Sequence, residues 1–301
     1  MVKSTINAEI IANKPLQTIK PTGKSKYFRM SLSLKAPIKH IIPGQFINLR
    51  LVSSYKLLLR RPFTIFNAIK KNGQYRIIEI IYQVVGKGTR LMSSMKRGEQ
   101  INVLGPLGNG FTINKKADVS FLVAGGIGIA GLYLLFKELV SRKRARVYLF
   151  IGAKTKSDLC LLPDLRRLTN NIIVSTEDGS SGAKGFITTE LENFLNNYIL
   201  HTTYSILTIY SCGPLGMSEA IRKFSVSKNI PAQISLEERM GCGIGLCRVC
   251  VCRTISKKPS DAVPKLRSGE GQSDSKGWGY STVCKDGPVF DASQLFPIQN
   301  H

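Results

Sequence analysis

Val119-Ser120-Phe121-Leu122-Val123-Ala124-Gly125-Gly126-Ile127-Gly128-Ile129-Ala130 decides how this chain is read. A near-continuous apolar run suits a strand buried on both faces, as in a parallel sheet. Glycines follow directly, and over 129–140 apolar residues recur at helical spacing, so the turn joins a strand to a helix. Glycines there let a diphosphate approach the amides at a helix N-terminus. Such a turn can also hold glycine for packing alone. Further along, 146–152, 171–175 and 205–210 read as strands alternating with helical stretches, which points to βαβ units and a parallel sheet. Ser211-Cys212-Gly213-Pro214-Leu215-Gly216-Met217 follows the last of them. The ends of parallel strands share the crevice where dinucleotides bind. Cys212 reads equally as a small buried hydrophobe.

Toward the N-terminus the pattern changes. Short strand candidates at 45–51, 76–82 and 101–104 are separated by Pro43-Gly44, Lys71-Asn72-Gly73 and the glycine-rich 105–110. That spacing predicts a small antiparallel barrel. Within it, Arg60-Arg61-Pro62-Phe63-Thr64 sets a fixed cation and a hydroxyl on either side of a stiffened backbone. Arginine pairs well with phosphate, and the hydroxyl can bond a cofactor ring or ribitol. Alone, Arg61 would also read as a solvated charge. Gly86-Lys87-Gly88-Thr89-Arg90 offers amides and a hydroxyl for a second phosphate contact.

Toward the C-terminus, Cys242-x4-Cys247-x2-Cys250 and a distant Cys284 have the spacing of a loop folded around a [2Fe–2S] cluster. Glycines 241, 243 and 245 suit close backbone approach and positive φ. Four cysteines could also make a tetrahedral zinc site, although zinc ribbons pair two short knuckles and Cys284 stands alone. From residue 230 the chain promises little regular structure, and 253–283 is polar and turn-rich. No internal repeats are visible.

Composition bounds the rest. A chain of 301 residues, 43% hydrophobic, has room for two or three cores and is ordinary for a globular protein. Seven cysteines, five of them within 242–284, suit metal ligation rather than a disulfide scaffold. The glycine-interrupted stretch 120–140 does not read as a membrane span, and the N-terminus lacks the apolar core of a signal peptide, so the cytoplasm is expected. The net charge of +24 would suit nucleic acid, yet the cations are spread along the chain without interleaved aromatics. Arg142-Lys143-Arg144-Ala145-Arg146 reads as a solvated helix end. An acidic partner subunit remains open.

The order of these pieces resembles the ferredoxin-reductase superfamily, and within it the electron-transfer subunits of bacterial NAD-dependent (class 1B) dihydroorotate dehydrogenases. The resemblance runs through 60–66, 81–91, 103–111, 122–130, 177–186, 211–217, 236–252 and 283–295. Leu236-Glu237-Glu238-Arg239-Met240-Gly241-Cys242-Gly243-Ile244-Gly245 and Val283-Cys284-Lys285-Asp286-Gly287-Pro288-Val289-Phe290 carry the family rather than the superfamily. It implies an FAD-binding β-barrel over 1–114, a parallel-sheet α/β NAD-binding domain over 115–229, and a small [2Fe–2S] domain over 230–301 with an inserted loop at about 253–282. Implied FAD contacts are Arg61, Pro62, Phe63, Thr64, Ile81, Tyr82, Gln83, Gly88 and Thr89. Gly125, Gly126, Gly128, Cys212, Gly213 and Pro214 would line the nicotinamide nucleotide site, and Cys242, Cys247, Cys250 and Cys284 would hold the cluster. Glu177 and Asp178 fall where an acidic pair would favour NAD over NADP.

The implied activity passes electrons from an FMN-containing catalytic subunit, which oxidises dihydroorotate in pyrimidine (UMP) biosynthesis, through [2Fe–2S] and FAD to NAD⁺. The implied assembly is a heterotetramer of two catalytic and two electron-transfer subunits. Within the class, the alternative is a reductase subunit serving ferredoxin or a hydrogenase; outside it, a zinc or nucleic-acid-binding module. The chain departs from the family pattern at Thr64 (serine is usual), Gln83 (arginine), Gly131 (proline) and in the 34 positions between Cys250 and Cys284. Cys252 is the rival fourth ligand by proximity.

Overall fold

The computed structural model describes residues 5–16, 26–51, 58–159, 161–201, 206–255 and 278–298. Its N-terminal part is an antiparallel sheet of β1 (Thr5–Pro15), β2 (Tyr27–Ile38), β3 (Phe46–Leu51), β4 (Arg61–Thr64), β5 (Asn67–Lys71), β6 (Gln74–Gln83) and β7 (Gln100–Leu107). The spatial order is β4-β3-β7-β1-β2-β6-β5, with α1 (Lys87–Ser94) between β6 and β7. On β1, Ile6, Ala8 and Ile10 are buried, the period-two pattern of a strand with one face on a core. The expected barrel takes the form of a curled sheet. Its edges meet where the Ile65 and Phe66 amides donate to the Gln45 carbonyl (3.0 Å) and the Glu79 carbonyl (2.9 Å).

The second layer follows the apolar run from which the reading began. β8 (Val119–Gly125) is buried at all seven residues. After it come α2 (Ile129–Arg142), β9 (Arg146–Ala153), α3 (Leu162–Arg166), β10 (Ile172–Thr176), β11 (Ala183–Lys184), α4 (Ile187–His201), β12 (Leu207–Cys212), α5 (Leu215–Ser227) and β13 (Ala232–Ser235). The chain ends with β14 (Val251–Ile255), β15 (Trp278–Thr282) and β16 (Val289–Asp291). The second sheet has the order β11-β10-β9-β8-β12-β13-β16, parallel except for β16. Its order reverses between β8 and β12, which places a crevice at their C-terminal ends. Helix α2 buries Ile129, Leu132, Leu135, Phe136 and Leu139, one face at helical spacing, which covers the sheet.

The C-terminal stretch corrects the expectation of little regular structure. β13 adds in parallel to β12, and β16 pairs antiparallel with β13. These strands are three or four residues long and sit beside Pro231 and Pro288, too short for periodicity to register. β14 and β15 form a hairpin running from Val251↔Thr282 to Ile255↔Trp278. At its base the Val283 amide donates to the Cys250 carbonyl at 2.7 Å. The ladder therefore returns Cys284 to Cys250 whatever the length of chain beyond it. Residues 256–277, most of the expected insertion, lie outside the described residues.

Two outcomes follow. Replacing 256–277 by a short Asn-Gly turn should leave iron content and visible absorption per chain unchanged, because the hairpin base is untouched. The second concerns Glu79, whose carboxylate is buried; against that burial, Arg29, Asn67 and Ser31 bond it and hold it below the usual range. A depressed carboxyl stabilises above its unfolded value and loses that contribution as pH falls through the folded one. Glu79→Gln should then cost about 1–3 kcal/mol at pH 7, and denaturant titrations should show the gap to wild type closing in acid.

Candidate functional site

The 236–250 loop connects β13 to β14 and carries three of the four cysteines. Gly243 and Gly245 take φ of +73° and +85°, whereas Gly241 stays outside the left-handed region. This path turns backbone amides onto sulfur. Amides of Ile244, Leu246 and Cys247 donate to Cys242 Sγ at 3.4, 3.3 and 3.3 Å. Cys247 Sγ accepts from the Cys242 amide (3.4 Å), Cys284 Sγ from the Gly245 amide (3.1 Å), and Cys250 Sγ from the Cys284 amide (3.4 Å). The four sulfurs are thus grouped as Cys242 with Cys247 and Cys250 with Cys284. Amide donors favour thiolate, and despite some burial they hold Cys242 down at about 6. Cys284 is pushed up to about 12 by burial and by Cys250 alongside. Two buried sulfurs side by side, Cys250 and Cys284, are a donor set suited to iron, whose positive charge would favour the Cys284 thiolate. Among the described residues no three His, Cys, Asp or Glu side chains converge as for a single metal ion. Cys252 lies on β14, pushed up to about 12 by burial and neighbouring acids, and among the described residues it makes no hydrogen bond to the other four sulfurs.

The residues expected to meet flavin are spread over β4, β6 and α1. Arg61, Pro62, Phe63 and Thr64 are all half-buried along β4, where a strand packed on one face would alternate. Both flanks of the strand are thus partly open, as a flat ligand requires. Arg61 crosses Gly88, and a Cβ at Gly88 would overlap the guanidinium. The two phosphate motifs are thereby joined. The Thr89 hydroxyl accepts from the Val85 amide (3.0 Å) and the Gly86 amide (3.1 Å) at the start of α1. Ile81 and Tyr82 lie in the core, where Tyr82 stacks on Phe28 and donates to Asn13 Oδ1 at 3.0 Å. Their side chains belong to packing, and only their main chain is left to meet a cofactor.

At the reversal of strand order lies a cleft of about 760 Å³, within the range of small-molecule sites. Gly125, Gly126, Gly128, Gly213 and Pro214 line it, with Gln83 entering from the curled sheet. The glycines have different duties. A Cβ at Gly125 would come within 2.5 Å of Pro214, and one at Gly128 would overlap the Cys212 carbonyl, so both let the two βα turns pack together. Gly126, at φ +53° and with nothing within 4 Å of a Cβ, leaves room for a phosphate at the turn. Cys212 is buried beneath, pushed up to about 12 by burial and by the charge of Glu237, and stays a neutral thiol. A Cβ at Gly131 would sit 2.9 Å from Cys212 Sγ and 3.7 Å from Thr64 Cγ2. This glycine lies where the flavin strand and the nucleotide sheet meet. Glu177 lines the cleft, whereas the Asp178 carboxylate is taken by Ser180 in its own turn.

Two residues of the cleft were not among the expected site residues. Glu237, just past β13, lines the cleft with its residue surface exposed there, while the surrounding protein partly desolvates its carboxyl and holds it above the usual range. Asp158 ties the two layers across the cleft, accepting from Lys26 Nζ (3.1 Å) and Tyr27 Oη (3.0 Å). Glu237 had a usable signal in its place at the end of an apolar strand; Asp158 had none.

Fold and site together define an oxidoreductase with a flavin sheet, a pyridine-nucleotide cleft and an iron–sulfur loop. The chain matches the family model for an oxidoreductase FAD-binding domain over 18–111, that for an oxidoreductase NAD-binding domain over 122–223, and the iron-sulfur cluster binding domain of dihydroorotate dehydrogenase B over 237–263. It is 36% identical over 255 residues to the dihydroorotate dehydrogenase B (NAD(+)) electron transfer subunit of Lysinibacillus sphaericus, covering 84% of this chain and 86% of that one. The Bacillus cereus protein of the same name matches with the same identity and coverage. The chain belongs to this family of dihydroorotate dehydrogenase B electron transfer subunits. Its fold is also that of an NADH-dependent reduced ferredoxin-NADP oxidoreductase, with a TM-score of 0.73, 24% identity and coverage of 96% and 90%. A ferredoxin reductase of carbazole 1,9a-dioxygenase superposes at 0.59, with 20% identity, over 75% of this chain and 66% of that one. The cofactors are FAD, an iron–sulfur cluster and NAD. No helix among the described residues is long and apolar enough to cross a membrane.

Gly88→Ala should displace the Arg61 guanidinium and weaken FAD binding by about 10-fold or more, the loss of one charge-assisted contact, as read by flavin fluorescence titration with the iron content unchanged.

Proposed function

We propose that this chain carries electrons from an FMN-containing, dihydroorotate-oxidising subunit through a [2Fe–2S] cluster on Cys242, Cys247, Cys250 and Cys284, then through FAD, to NAD⁺. The observation that carries the reading is the pairing of sulfurs: the β14–β15 ladder sets Cys250 beside Cys284, and the glycine loop sets Cys242 beside Cys247. Two pairs suit a two-iron cluster. When bound, FAD exchanges two electrons with NAD as a hydride, and the cluster passes them singly. The chain supplies position. Arg61 and the Gly88 backbone are placed for FAD phosphate, Gln83 and Thr64 for its ring side, and Gly126 for the NAD diphosphate. Neutral Cys212 shapes the nicotinamide end, and Glu177 supports NAD over NADP.

Electrons enter where the cluster loop is exposed. Leu246 and Val249 are 77% and 58% accessible on its outer side, among the exposed cations Arg239, Arg248 and Lys285. An apolar patch rimmed by positive charge suits an acidic catalytic subunit, in an assembly of two subunits of each kind. The three parts are 1–114, 115–229 and 230–301, with β13 and β16 of the last completing the nucleotide sheet. The cytoplasm is the compartment in which such thiolates stay reduced.

Reconstituted with its partner, the chain should reduce NAD⁺ on addition of dihydroorotate. Cys284→Ser should lose iron and that activity while keeping NADH–ferricyanide turnover, which needs only FAD and the cleft; Cys252→Ser should keep all three. A complex holding flavin and cluster that never reduces NAD⁺ from dihydroorotate would defeat the assignment.

A further inference from the structure

We propose that Asn48 is a positioning residue that holds the cluster loop against the flavin strand and so governs electron passage between the two centres; the inference rests on the cofactor assignments above. Asn48 is 0% exposed in the middle of β3, between the buried Ile47 and Leu49. Through its main chain it belongs to the flavin side. It faces Pro62 across the β3–β4 ladder, and its carbonyl accepts from Arg60 Nη1 at 3.3 Å. Through its side chain it belongs to the cluster side. Nδ2 donates to the Cys242 carbonyl at 3.4 Å, 194 positions along the chain. Gly243 lies so close over that amide that a Cβ there would overlap Nδ2. One residue thus joins the strand of Arg61–Thr64 to the first cysteine of the loop.

A purely structural residue here would be apolar. Asparagine is disfavoured in strands, and Asn48 Oδ1 has no hydrogen-bond partner among the described residues. Burying an acceptor unmet destabilises a fold, so its presence here points to a role other than packing. Electron tunnelling falls steeply with distance and passes more readily along bonds and hydrogen bonds than across gaps. The step concerned moves one electron between flavin and cluster, with no proton or bond change at Asn48.

The test uses the full chain with FAD and cluster bound, as wild type, Asn48→Leu and Asn48→Ala, mixed anaerobically with NADH. Flavin bleaching should keep its wild-type rate in both variants. Cluster reduction should slow by about an order of magnitude, and the electron paramagnetic resonance spectrum of the reduced cluster should shift. Loss of iron with FAD retained would also support the proposal, because the loop would have lost its seat. Wild-type cluster reduction and spectra in both variants would overturn it. So would loss of FAD and iron together, which would make Asn48 a folding residue. A wild-type chain without cluster absorption would instead bring down the reading beneath, and the proposal with it.

Discussion

The hydrogen bond from the Val283 amide to the Cys250 carbonyl, at the foot of a two-stranded ladder, is the contact on which the rest depends. Four sulfurs from a 15-residue loop and a distant strand end must meet within a few ångströms. Loop-closure entropy grows slowly with length, but a flexible tether would still leave Cys284 wandering. The ladder removes that freedom on one side of Cys284, and β16 paired with β13 removes it on the other. Cys284 is therefore held by two sheets, and its position is a property of the fold.

The same economy shapes the crevice. Gly125, Gly128 and Gly213 lack side chains so that the turns after β8 and β12 can interlock, and Gly131 lets α2 press on Cys212. The two turns and the flavin strand thereby meet around Cys212 and Gly131. Phe66 stacked on Tyr133, with ring centroids 4.2 Å apart, and Lys137 bonded to Asn67 hold α2 on the curled sheet behind it.

Much of this was readable beforehand, because it rests on local pattern. An apolar run into a glycine turn announces β8 and α2, and three closely spaced cysteines announce the loop. What escaped depends on distant partners. β13 and β16 are too short to show a period and exist because β12 offers an edge. Asn48 is an ordinary polar residue on a strand until a segment from the far end of the chain closes over it.

The hairpin also sets a clock. Chains emerge from the ribosome at about 5–20 residues per second, so the 34 positions between Cys250 and Cys284 separate the third and fourth sulfurs by roughly 2–7 s. Through that interval the loop holds three thiols and no partner for Cys250. The fourth arrives only once β15 has zipped onto β14. Biogenesis of the redox centre is thereby placed after synthesis of the flavin sheet and of all but the last strand of the nucleotide sheet.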